Sequence, residues 1–367
     1  MKKDEKWMIG FFSNSIRMTP YLKWKIVVTM RYFHMWCGNT PEICWTDVLI
    51  IDRDKDVSTY HLPERFPHRL IQTQARYIRH AKRFANVIDL DRCHPRYLPN
   101  MRMMNDEFYH EKRDLAVRKN EISLLWYCSE KIRELAFSRH IYSFDHPHFL
   151  SSIIDQSLSP EQSVIIHQIV EMNRVCNDNK WIMVPDHIDF VDPSDCVYVD
   201  FEYDEKNRVY LIGVFDSDDG YISFWSKDLG DNNDKIFRDF DAWLSHRKKR
   251  YCVYWYAEEK ILEHDAPPLD SDYEWIDLWK TFRYSPIIVR GAFNFSLKSI
   301  VRAFYDQGVC KRSYDQLECQ NGEESLRLMK DVFHSNSVSA KKALEDYNRA
   351  DCEHMFFIHH YLFHNHC

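Results

Sequence analysis

Glycine is scarce in this chain, at 8 of 367 residues, and no internal repeat or low-complexity tract interrupts it. That scarcity fits dense helical and sheet cores with few flexible loops, not a disordered chain. No apolar run approaches the 18 or so residues that a membrane span needs. The opening Met1-Lys2-Lys3-Asp4-Glu5-Lys6 leads into no clean apolar stretch of a secretory signal. An intracellular, non-secreted protein with no membrane partner is the expectation. None of the 11 cysteines forms a Cys-x-x-Cys pair, so zinc-ribbon spacing is absent and free buried thiols are expected. Positive charge is not in excess either. A formal charge of −7 argues against holding nucleic acid by bulk charge, though it permits a local basic groove. What the chain does have is apolar and aromatic mass, 45% and 15%, with 29% charged residues. Its length suffices for two domains, or one large domain with an extension.

Three regions are expected: an α+β region over 1–105, a helical segment over 106–185, and an α/β domain over 186–367. In the first, Ile26-Val27-Val28, Asp47 to Ile51 and Val57 to Leu62 read as short strands. A helix is predicted from about Leu70 to Arg83, broken by the prolines that follow. In the second, helices are predicted from Glu130 to His140, from His148 to Gln156, and from Pro160 to about Cys176. Ser159 caps the last of these, with proline at its first position. In the third, Val197–Tyr203, Arg208–Phe215 and Tyr221–Trp225 form an antiparallel meander. A helix over Ile236–His246, a strand over Arg250–Tyr256 and helices over Ser296–Asp306, Glu323–Phe333 and Ala340–Leu362 follow.

Two short motifs in this third region carry chemistry. Cys196-Val197-Tyr198-Val199-Asp200-Phe201-Glu202 reads as a strand ending in Asp-x-Glu, and Tyr347-Asn348-Arg349-Ala350-Asp351 as a helical Tyr-x-x-x-Asp. Strand side chains repeat every two residues and helix positions four apart share a face, so each motif presents its polar groups together. Three carboxylates and a phenol suit a hard divalent cation, which takes oxygen ligands and keeps water and substrate phosphate as the rest of its shell. Phosphodiester hydrolysis is the chemistry this suggests.

These motifs, with Val209 to Val214, Trp275-Ile276-Asp277-Leu278 and Phe295-Ser296-Leu297-Lys298-Ser299-Ile300, resemble the exonuclease motifs of the DEDD superfamily. They are most similar to the RNase H-like domain of RecB-like nucleases and YprB-type proteins. The resemblance covers roughly 190–363 and implies an RNase H-like mixed sheet flanked by helices. It implies a metal-dependent 3′–5′ exonuclease of the tyrosine (DEDDy) type, using two Mg²⁺ or Mn²⁺ ions on single-stranded DNA or RNA ends. By that resemblance Asp200 bridges the ions, Glu202 binds one and helps position the attacking water, Asp351 closes the site, and Tyr347 orients the water. A catalytically weakened module that binds nucleic acid or a replication or repair partner is the alternative.

The sequence departs from the family at the second motif. Where Asn-x-x-Phe-Asp is usual, it has Tyr254-Trp255-Tyr256-Ala257-Glu258-Glu259. Glu258 or Glu259 is the candidate fourth ligand and Asp277 a weaker one. Glu258 also reads as an ordinary residue at a helix N-terminus, and Asp277 as a helix cap. Arg247-Lys248-Lys249-Arg250 reads as a surface turn, with Lys248, Lys249, Arg250 and also Lys298 as candidate nucleic-acid contacts. The histidines from His354 to His366 lack partners at zinc-ligand spacing. In the relatives the helical segment is helix-hairpin-helix-like and the N-terminal region is a PD-(D/E)xK nuclease. Here Thr46 to Ile50 could be a remnant of its first motif, and no acidic-x-Lys follows, so a degenerate domain is expected. Similar sequences occur in large DNA viruses.

Overall fold

The computed structural model describes residues 2–3, 6–12, 26, 43–51, 57–61, 98–103, 109–174, 180–228, 234–269, 272–319 and 321–366. Packing divides the chain into two units, 1–93 and 94–367.

In the first unit, β1 (Lys2–Lys3), β2 (Lys6–Phe12), β3 (Ile43–Ile51) and β4 (Val57–His61) form one sheet in that order. β2 and β3 are parallel, with a register shift between Met8 and Ile9, and β3 pairs antiparallel with β4 so that Asp47 stands opposite His61. The strands expected from Asp47 and Val57 are therefore present. The strand expected at 26–28 lies outside the described residues apart from Ile26, whose backbone is helical. The helix expected at 70–83 also lies outside them.

The second unit opens with α1 (Tyr109–Arg118), α2 (Glu130–Ser138) and α3 (Pro160–Arg174). Ser129 caps α2 by accepting the Ile132 N–H, and Ser159 with Gln162 forms a reciprocal capping box at α3. Buried residues of these helices, such as Ala116, Ile132, Ile165 and Ile169, belong to the same apolar core as the sheet that follows. Within that core the Glu121 carboxylate and the Arg133 guanidinium pair at 2.5 Å, both nearly sealed from solvent.

The sheet is mixed, with the order β10–β9–β6–β7–β8. Its strands are β6 (Cys196–Tyr203), β7 (Val209–Asp216), β8 (Gly220–Trp225), β9 (Tyr251–Tyr254) and β10 (Glu274–Asp277), and β6, β9 and β10 run parallel. A separate antiparallel pair joins β5 (Ile182–Met183) to β11 (Ile288–Val289). The helices are α4 (Asp234–Leu244), α5 (Glu258–His264), α6 (Leu278–Tyr284), α7 (Leu297–Asp306), α8 (Gly322–Ser335) and α9 (Val338–His366). This is a mixed α/β, RNase H-like arrangement.

β6 is buried on both faces, and its two-residue period sorts the side chains between two cores. Val197, Val199 and Phe201 pack with Ile236, Phe237 and Phe240 of α4. Tyr198 points the other way, its ring against Phe356 and His359 of α9 and its hydroxyl 2.9 Å from His359 Nδ1. Asp200 and Glu202 continue the Tyr198 row, so strand geometry sends both carboxylates toward α9. Opposite Asp200 in the ladder stands Gly213. A Cβ there would overlap Asn348 Oδ1 and lie 2.9 Å from the Tyr221 ring. The glycine is the gap through which α9 reaches β6.

Candidate active site

Each acidic group is held by a different part of the frame. Asn348, fully buried on α9, donates from Nδ2 to Asp200 Oδ2 at 2.6 Å and to the Asp200 carbonyl at 3.1 Å, and its Oδ1 accepts the Tyr221 hydroxyl at 2.9 Å. One oxygen of Glu202, Oε2, accepts Ser325 Oγ of α8 at 2.7 Å and the Tyr210 hydroxyl of β7 at 3.3 Å. Those two hydroxyls are themselves 2.7 Å apart. Asp351 Oδ1 accepts the Tyr314 phenol, and the Tyr347 phenol, one helical turn before it on α9, favours the charged form of this carboxylate. Asp200, Glu202 and Asp351 each offer an oxygen, and those oxygens lie within 4.8 Å of one another. Among the described residues this is the one group of three or more His, Cys, Asp or Glu side chains so arranged.

A fourth carboxylate, Glu258, comes from the start of α5. The chain leaves β9 through Tyr256, whose φ of +69° is left-handed, and that turn sets up the helix start. Glu258 is 3% exposed. Its Oε1 lies 3.5 Å from the Phe201 N–H, a long bond, and its Oε2 is buried with no hydrogen-bond partner. Asp277 caps α6 by accepting the Lys280 N–H at 3.2 Å, and the same Oδ1 accepts the Tyr256 N–H at 3.1 Å. Its other oxygen is buried and unpaired. Glu259 turns away from the group into an ion pair with Lys280.

The electrostatics follow from crowding. Burial, then repulsion from Asp351, Glu258 and Glu202, holds the Asp200 carboxyl well above the usual range. Burial pushes Glu202 up to about 7 despite the Ser325 hydrogen bond, and Asp351 up to about 6 against the pull of Lys298. Glu258 rises to about 8, from burial and from Asp351 and Asp277. Lys298, on α7 just past the Ser296 cap, sets its Nζ 4.7 Å from the Tyr347 ring centre and 5.3 Å from that of Tyr314. Its charge lowers the pKa values of Asp200, Glu202 and Asp351. One ammonium among four buried carboxyl groups leaves a strong deficit of positive charge. An all-oxygen donor set with an orphaned Glu258 oxygen beside it fits a hard divalent cation.

The fold thus brings together Asp200, Glu202, Tyr347, Asp351, Glu258 and Lys298. It does not bring the basic turn there. The ladder aligns Cys196 with Tyr251, so Lys248, Lys249 and Arg250 sit beside the start of β6, about 13 Å of strand before Asp200. Lys249 pairs with Asp218 at 2.7 Å and Asp216 at 3.4 Å, Arg250 with Glu274 at 2.5 Å, and Lys248 is exposed. The parallel pairing of β9 with β6 puts the entry of β9, and this turn with it, at the end of the strand opposite the carboxylates. Among the described residues the terminal histidines gather no metal-ligand group. His359 bonds Tyr198, and His360 stacks edge-on against His364.

Sequence reasoning missed Asn348, Tyr210, Ser325 and Tyr314. Asn348 was within reach, because it lies three positions before Asp351 on one helix face and faces a glycine across the sheet. Tyr314 and Ser325 carry no such signal.

A family model described as the RNase_H superfamily matches residues 197–363, from the second residue of β6 almost to the end of α9. No curated protein and no solved structure matches the chain. No helix among the described residues is long and apolar enough to cross a membrane, and Cys128, Cys196, Cys252, Cys310, Cys319 and Cys352 are buried free thiols.

Proposed function

We propose that this protein is a metal-dependent exonuclease of the DEDDy type, hydrolysing phosphodiester bonds at single-stranded DNA or RNA ends with Mg²⁺ or Mn²⁺. The observation that carries the reading is the convergence of Asp200, Glu202 and Asp351 oxygens within 4.8 Å, on a segment matched by the RNase_H superfamily model. When bound, divalent ions activate water and neutralise charge developing on the phosphoryl oxygens. Asp200, Glu202 and Asp351 would hold them, and the unpartnered Glu258 Oε2 makes Glu258 the candidate fourth ligand in place of the aspartate usual in this superfamily. Glu259, engaged by Lys280, and Asp277, engaged as a cap, are second to it.

The chain's own groups then have distinct tasks. Asn348, Ser325, Tyr210 and Tyr314 fix one oxygen of each carboxylate, which preorganises the cluster before substrate arrives. Burial and Asp351 push the Tyr347 phenol far upward, so it stays a proton donor at any working pH and can orient a water beside Asp351. The Lys298 ammonium stands beside the same tyrosine and supplies positive charge where a phosphate would approach.

The test is purified protein with MnCl₂ and end-labelled DNA and RNA oligonucleotides, wild type against Asp200→Asn and Asp351→Asn. Stepwise shortening by the wild type and its loss in both variants is the expected result. No cleavage of any oligonucleotide, or cleavage unchanged in Asp200→Asn, sinks the reading. The longer Glu258 arm also favours a second reading, a weakened module that binds nucleic acid without cutting it. Cation-dependent oligonucleotide binding without cleavage would favour that one.

A further inference from the structure

A row of aromatic side chains runs away from the Glu258 edge of the carboxylate cluster. Tyr256 is 56% exposed, and its ring centre lies 4.5 Å from that of Trp279 on α6. Trp279 continues to Trp126 at 6.0 Å and to Tyr284 at 6.4 Å, and Trp126 stacks on Tyr127 with an interplanar angle of 17°. Tyr284, at the end of α6, is 71% exposed. The Arg283 guanidinium lies over both Tyr127, at 5.4 Å, and Tyr284, at 5.8 Å. Trp126, Tyr127 and Trp279 are half-buried against the core, so the row shows solvent two exposed tyrosines and the edges of three partly covered rings, with an arginine laid across it.

The row is tied to the cluster through backbone. The Tyr256 N–H is fixed by Asp277 Oδ1, and Glu258 follows two residues later. A bulky residue with φ of +69° stores strain, and such strain collects where a side chain must be aimed.

Resting on the nuclease reading above, we propose that Tyr256, Trp279, Tyr284, Trp126 and Tyr127, with Arg283, form a stacking platform for the bases of a single-stranded nucleic acid whose end lies at the carboxylates. Position selects this occupant. The platform is continuous with a site built for phosphodiesters, and every nucleobase offers a π-face to such rings. Charge bears on how such a strand is held. The protein carries −7 overall, and three of the four residues in its one run of basic residues, Arg247, Lys249 and Arg250, are engaged with acidic neighbours at the far end of the sheet. Attraction for a strand must therefore come mainly from stacking, not from phosphate neutralisation.

The experiment uses the full chain in EDTA, where no cutting occurs, and an unlabelled single strand about 10 nucleotides long. Trp126 and Trp279 report binding by fluorescence quenching. The proposal expects quenching by the oligonucleotide, little by an abasic phosphodiester of equal length, and a shallow dependence on salt. Tyr284→Ala and Tyr256→Asn, the latter chosen because asparagine tolerates left-handed backbone, should each weaken binding about five-fold, for the loss of about 1 kcal/mol of stacking. Equal affinity for the abasic strand overturns the platform, as does wild-type affinity in both variants or an absence of quenching, which would leave the surface to a protein partner. Cleavage by the wild type in MnCl₂ separates the two claims: quenching in EDTA by a wild type that cuts no oligonucleotide supports the platform alone. Mn²⁺-dependent cleavage by a wild type whose Tyr284→Ala variant binds oligonucleotide unchanged supports the nuclease alone.

Discussion

Without a cation, four buried carboxyl groups should make folding stability fall as pH rises through the neutral range. The sign follows from the raised values. A carboxyl whose folded pKa lies above its unfolded one holds a proton in the native state that the unfolded chain has released, so stability declines with pH until the folded pKa is passed. Glu202 is pushed up to about 7 and Glu258 up to about 8, from an ordinary value near 4.5. Between pH 6.5 and 8 these two groups together should lose on the order of 2 kcal/mol, at about 1.4 kcal/mol per unit for each proton retained. Below that window two histidines act in the opposite sense. Burial holds His354 and His359 at about 4, so stability is lost as pH falls from 6.5 toward 4. Urea denaturation in EDTA at pH 6.5, 7.2 and 8, for wild type and Glu258→Gln, isolates the effect. Glu258→Gln should flatten the slope by more than half, and saturating MnCl₂ should restore stability most at pH 8, where cation and protons no longer compete. A wild-type curve in EDTA that is flat or rising from pH 6.5 to 8, or a variant with the wild-type slope, would refute the claim that these groups share one unneutralised cluster.

Gly213→Ala should destabilise by at least 1–3 kcal/mol through overpacking, and combining it with Asn348→Ala should cost clearly less than the sum, measured as a double-mutant cycle by chemical denaturation. Ser325→Ala, which leaves Glu202 Oε2 with only the longer Tyr210 hydrogen bond, should raise the Mn²⁺ concentration needed for half-maximal cleavage while leaving Tm within a few degrees. Lys298→Met should deepen the charge deficit, displacing the acid limb of the pH–rate profile toward higher pH. Glu121→Ala should cost about 3–5 kcal/mol because it strands the buried Arg133 charge, a loss that calorimetry would detect.

The central strands and the last helix were legible because each is long and obeys one period. β6 alternates between two cores over eight residues, and Tyr347 and Asp351 share a helix face at any plausible start of α9. β10 was not read as a strand. It has four residues, Glu274-Trp275-Ile276-Asp277, on a parallel edge with no alternation to find, and it passes directly into α6. The same brevity left the fourth ligand open among Glu258, Glu259 and Asp277, since a one-residue change in where a helix begins exchanges the buried carboxylate for a solvated one. Tyr314 and Ser325 were out of reach for another reason. They come from a short turn and the first turn of a helix, and Ser325 meets Glu202 across 123 positions with no local pattern linking them.

One property of α9 bears on how the cluster comes into being. This single rod carries Asp351, the phenol of Tyr347 and the Asn348 amide that holds Asp200, all against a strand about 150 residues earlier in the chain. On the ribosome, the Asp-x-Glu strand therefore emerges long before its partner carboxylate, and any shortened product ending ahead of residue 348 lacks both the Asn348 amide and the Asp351 carboxylate. The carboxylate cluster is therefore complete only when α9 is in place.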